Sequence, residues 1–90
     1  MFIIELTYKV ALDKIDAEMK AHIAYLDKYY EAGVFITWGR KVPRSGSIIL
    51  AKADTKIAVE KMIKEDPFYK RKLADYKITE FIDRKSLDKI

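Results

Sequence analysis

Cysteine, asparagine and glutamine are all missing from this chain of 90 residues. Without a thiol there is no disulfide, no cysteine nucleophile, no cysteine zinc site and no iron–sulfur cluster. Histidine occurs once, as His22, so a zinc site of the usual kind lacks a second nitrogen ligand. No carboxylate cluster stands at a diagnostic spacing for magnesium or manganese, and no metal or cofactor is expected. Apolar runs stay well short of the roughly 20 residues of a membrane span. The opening Met1-Phe2-Ile3-Ile4-Glu5 has no basic stretch and meets a charge too early for a signal peptide, so a cytoplasmic setting is expected. Lysine is the commonest charged residue, and with the thermolabile amides absent this is the composition reported for heat-adapted proteins.

What is present describes a folded domain. Half of the residues are hydrophobic and 36% are charged, a balance that argues against disorder. The length suits one core. Eighteen basic residues against 14 acidic ones leave a net charge of +4. The two signs are interspersed, so the charge reads as a solvated surface more than as a nucleic-acid footprint.

Apolar periodicity divides the chain. Phe2, Ile4, Leu6 and Tyr8 alternate with Glu5 and Thr7, which predicts a strand. Asp13 or Asp16 can cap a helix that runs to about Glu31 and stops at Gly33. Along it Ile15, Met19, His22, Leu26 and Tyr29 share one face, with Ile23 and Tyr30 widening the stripe. The β-branched and aromatic run from Val34 to Arg40 predicts a second strand. Pro43 lies in a short break, and Gly46 to Lys52 then forms a third strand paired as a hairpin. Asp54 or Thr55 caps a second helix, with Ile57, Ala58, Met62 and the stem of Lys61 on its inner side. Asp66-Pro67 opens a short turn, because proline suits the first helical position after an aspartate cap. A last strand follows at about Tyr76 to Ile82, and residues 83–90 form a charged tail or a short helix.

The order βαββαβ predicts an α+β protein with a ferredoxin-like plait, a four-stranded antiparallel sheet with two helices on one face. Both strand faces carry bulk. Ile3, Phe35, Ile49 and Phe81 fall on one parity, and Ile4, Ile36, Leu50 and Ile78 on the other. One helix layer covers one set, so a second copy of the chain is expected to cover the other in a homodimer.

His22 has two readings. It is a core histidine satisfied by backbone or water, or an imidazole placed to move protons near neutrality. Asp66 before Pro67 is likewise an ordinary helix cap unless something else uses its carboxylate. The series His22-Ile23-Ala24-Tyr25-Leu26, Gly33, Trp38-Gly39, Gly46-Ser47 and Asp66-Pro67-Phe68 resembles the YCII-related (YciI-like) proteins over residues 1–82. The chain departs from them at Gly39-Arg40, where many relatives carry Gly-Pro. The resemblance implies a dimeric α+β barrel, two plaits packed sheet to sheet. It also implies an active-site pair at His22 and Asp66, and some family members are linked to dehydrochlorination of aromatic substrates.

As a catalytic pair, Asp66 would fix the imidazole tautomer while the other nitrogen exchanges a proton with a small substrate. Arg40 suits an anionic group, Trp38 and Tyr25 suit apolar walls, and Ser47, with Ser45 behind it, suits a polar contact. No serine lies in a nucleophile elbow, which disfavours acyl-enzyme chemistry. The expected function is therefore cofactor-free lyase or isomerase chemistry on a small anionic or aromatic molecule. The alternative is a non-catalytic dimer that binds a small ligand or another protein. RNA recognition by this topology uses aromatics on the third strand, and Gly46 to Lys52 contains none, so neither nucleic acid nor membrane is expected as a partner.

Overall fold

In a computed structural model, which describes residues 1–86, four strands and four helices follow the predicted order. They are β1 (Phe2–Tyr8), α1 (Leu12–Ala17), α2 (Met19–Glu31), β2 (Phe35–Arg40), β3 (Gly46–Ala51), α3 (Lys56–Ile63), α4 (Pro67–Lys70) and β4 (Ala74–Glu80). The strands form one antiparallel sheet in the order β2-β3-β1-β4, with the helices on one face. This is the ferredoxin-like α+β plait. No helix among the described residues is long and apolar enough to cross a membrane.

The first helix is broken where continuity was predicted. Glu18 leaves helical geometry at φ −107° and ψ 4°, and α1 and α2 meet there. Neither Asp13 nor Asp16 caps it: Ala11 occupies the cap position without a side-chain bond, and Asp16 instead pairs with Arg44. At α3 the choice falls on Thr55, whose side chain accepts from the Ala58 N–H at 3.1 Å. Its inner side is Val59 and Ile63, four residues apart, while Ile57 faces solvent. Gly33 ends α2 as predicted, with φ at +75°, a conformation open to glycine at little cost. The last strand starts two residues earlier than predicted, at Ala74. Residues 83–86 add no helix or strand, and the rest of the predicted tail lies outside the described residues.

Strand register corrects the assignment of faces. Ile4 lies opposite both Ile49 and Ile78, and Phe2 opposite Ala51, which in turn faces Phe35. Phe35 and Ile49 therefore point to the helices and are buried in the core with Phe2, Ile4 and Leu6. Leu50 lies opposite Ile3 and Thr37 and belongs to the helix-free face. An irregularity between Phe35 and Thr37 inserts Ile36 and turns Phe35 to the helix side of β2, whereas β3 pairs with β1 in unbroken register and places Ile49, not Leu50, toward the helices. Ile3, Ile48, Leu50 and Phe81 are the apolar residues left on the open side, and Ile48 and Phe81 are more than a third exposed.

Candidate functional site

Asp66 places a carboxyl group inside the core. It caps α4, its Oδ1 accepting from the Phe68 N–H at 3.0 Å, and Pro67 fills the first helical position. That short helix closes over the plait and leaves the carboxylate with no exposed surface. A buried charge is tolerated only when it is well hydrogen-bonded, and two further donors come from distant elements. His22 of α2 approaches Oδ1 through Nδ1 at 2.7 Å, and the Tyr76 hydroxyl of β4 donates to Oδ2. Burial, then the Asp66 charge, then this hydrogen bond push the Tyr76 hydroxyl far above the ordinary phenol range, so it stays a donor.

His22 is held from both directions. Its ring lies flat on Phe68, with centroids 3.8 Å apart and planes within 4°. A carboxylate only accepts, so beside an ionised Asp66 it is Nδ1 that donates. The side-chain hydrogen bond of His22 among the described residues is made by Nδ1, which leaves Nε2 for other work. This is the arrangement by which a carboxylate fixes an imidazole tautomer.

A pocket of about 250 Å³ lies over the ring, between α2 and the ends of β1, β2 and β3. Met19, His22, Ile23 and Leu26 line it from the helix, and Trp38, Arg40 and Ser47 from the sheet. The volume is below the ~300–1,000 Å³ of pockets for drug-sized ligands. Four predicted site residues thus share one cavity, namely His22, Trp38, Arg40 and Ser47, with Asp66 behind the first. Tyr25 does not line the pocket: it is buried beside His22, ring centroids 6.4 Å apart, but turns toward α3, its hydroxyl donating to the Met62 carbonyl at 2.8 Å and its ring packed on Tyr29 and Phe35. Ser45 is exposed and outside the lining. Ile23, placed on the inner stripe by its spacing, is exposed enough to form one wall, while Tyr30 faces solvent.

Sequence reasoning missed Tyr76, Phe68, Tyr8 and Arg44. Tyr8 and Arg44 line the same pocket. Arg44 is held there by Asp16, whose carboxyl is lowered by the bond and charge of that guanidinium. Tyr76 had one available signal, since it shares strand parity with Ile78 and a buried phenol needs a hydrogen-bond partner. Among the described residues no three His, Cys, Asp or Glu side chains gather as metal ligands.

The family model for the YCII-related domain matches residues 1–82. This chain belongs to the YCII-related family. No curated protein sequence matches it. In fold, this YCII-related chain is similar to 5-chloro-2-hydroxyhydroquinone dehydrochlorinase (TftG) from Burkholderia phenoliruptrix AC1100, solved in complex with 2,5-dihydroxybenzoquinone. The TM-score is 0.79 and the identity 20%, over 90% of this chain and 92% of that one. At that identity the likeness establishes the fold.

Proposed function

We propose that the pocket over His22 is a proton-transfer site for a small molecule, with lyase or isomerase chemistry carried by the side chains alone. The observation that carries this reading is the division of labour on one ring: Nδ1 is engaged by a buried carboxylate, which leaves Nε2 for other work on a ring that lines the pocket. Nε2 takes a proton from a carbon beside a carbonyl, and the C–H electron pair becomes the enolate. Return of the proton elsewhere completes an isomerisation. Departure of a leaving group from the neighbouring carbon, with its bonding pair, completes an elimination. The fold neighbour that binds 2,5-dihydroxybenzoquinone is a dehydrochlorinase, which agrees with chemistry of the second kind on a flat oxygenated ring.

The test is solvent-deuterium exchange into a panel of small enolisable acids and hydroxyquinones, followed by mass spectrometry. Exchange catalysed by the wild-type chain should fall by about 10²-fold or more in His22→Ala and in Asp66→Asn, the usual range for losing a positioned acid–base group. Exchange that survives His22→Ala would contradict the proposal and leave a binding module.

The proposed assembly is a homodimer through the helix-free face, closing two sheets into a dimeric α+β barrel. Ile3, Ile48, Leu50 and Phe81 support it, because the helices leave that apolar set uncovered.

A further inference from the structure

The pocket over His22 contains two polar groups that the protein does not use. Ser47 is 6% exposed, and its Oγ is buried without any hydrogen-bond partner among the described residues. A buried hydroxyl left unpaired is costly enough that such atoms usually have a partner, if not from the protein then from something that binds. Directly across the ladder from Ser47 stands Arg40 of β2. Side chains of such opposed residues leave the same face about 4.5–5.5 Å apart at Cβ, and both line the cavity.

The charges around the mouth single out Arg40. Arg44 is paired with Asp16, and Lys41 with Glu5 at 2.8 Å and the Thr7 hydroxyl at 3.0 Å. Arg40 makes no ion pair among the described residues, and no carboxylate lines the cavity. Trp38, two residues before Arg40, shares its face and lines the same cavity. A donor hydroxyl, an unneutralised guanidinium and an indole thus lie along one wall, facing the aliphatic side chains of α2.

We propose that Ser47 and Arg40 form an anchoring site for an oxyanion, a carboxylate or an enolate, carried on a small flat apolar body that packs on Trp38. Ser47 Oγ–H donates to the oxygen, and the guanidinium supplies paired N–H donors and charge. This deepens the proton-transfer reading, on which it rests only for the role of Nε2. It assigns the end of the substrate that stays still.

Benzoate is a suitable probe, with benzyl alcohol as its neutral counterpart, each titrated by NMR into wild type, Ser47→Ala, Arg40→Gln and Arg40→Lys. Benzoate should bind with shifts at the Trp38 indole, and each of Ser47→Ala and Arg40→Gln should weaken it about tenfold, the scale of one charge-assisted hydrogen bond. Arg40→Lys should recover part of the loss by keeping the charge. Benzyl alcohol should respond to the three substitutions by less than about twofold. Wild-type protein that binds benzoate no better than benzyl alcohol, or variants that bind benzoate as well as wild type, would overturn the anchoring site. Deuterium exchange that persists beside such a result leaves proton transfer standing. Benzoate binding that follows the expected pattern with no exchange in any substrate removes proton transfer and leaves the anchor.

Discussion

Tyr25 is buried and Tyr76 half-buried around Asp66, and their hydroxyls behave accordingly. Burial is the largest cause in each and the Asp66 charge the second, and both push the phenol far above its ordinary value of 10.0. Tyr29 is pushed up to about 12 by burial and by its hydrogen bond to Glu65. A folded-state pKa raised in this way favours the fold below the ordinary phenol value, and that contribution is lost as pH climbs through the folded value. A tyrosinate absorbance titration should show a late phase: Tyr29 ionises near pH 12, and Tyr25 and Tyr76 only as circular dichroism reports unfolding. Ionisation of all six tyrosines in one step near pH 10.0 with the fold intact would contradict the packing around Asp66. His22 stood out in the sequence as the single histidine, but Asp66 before proline reads as an ordinary helix cap, and it was joined to His22 through the resemblance to the YCII-related proteins. Tyr76 did not stand out, since a tyrosine in a strand is common and only the register of β4 brings its hydroxyl to Oδ2. Tyr25 was expected as a pocket wall, but it follows His22 by three residues. That spacing turns it about 60° around the helix, toward α3 and away from the pocket.

The elements that carry the site are positioned by a few local devices. Asp66-Pro67-Phe68 acts as a unit, because the cap that starts α4 also aims Oδ1 at His22 and lays Phe68 under the imidazole. At Gly46 the strands come so close that an added Cβ would lie 1.8 Å from the Leu6 carbonyl oxygen. That neighbour is backbone, so it cannot swing aside. Gly46→Ala should cost ~3 kcal/mol or more in a denaturation experiment, at the upper end for overpacking, by forcing β3 away from β1. A loss under about 0.5 kcal/mol, the range of an ordinary surface change, would contradict this close approach. The helix–strand order was legible because periodicity marks it, with Gly33 after α2 and Gly46 at the start of β3. The break at Glu18 was not, since the apolar stripe passes through it from Ile15 to Met19 without a phase change.

For the whole molecule, assembly turns on the helix-free face. Sequence alternation failed to separate its two sides because Ile48, Ile49 and Leu50 are consecutive and all apolar, and a one-residue shift exchanges the faces. The register decides which substitution tests what. Ile48→Glu should leave a folded chain that sediments as a monomer, while Ile49→Glu, 1% exposed in the core, should unfold it by burying an unpaired charge. Wild-type protein that sediments as a monomer at micromolar concentration would remove the dimer, though not the site, since one chain already forms the pocket over His22.

The central claim is that Asp66 fixes the His22 ring so that Nε2 faces the pocket as a base. With one histidine in the chain, its imidazole nitrogens can be read by long-range proton–nitrogen NMR without ambiguity. At a pH where the ring is neutral, the proton should sit on Nδ1 in the wild type, and that preference should be lost in Asp66→Asn. A wild-type imidazole carrying its proton on Nε2, unchanged by Asp66→Asn, would contradict it.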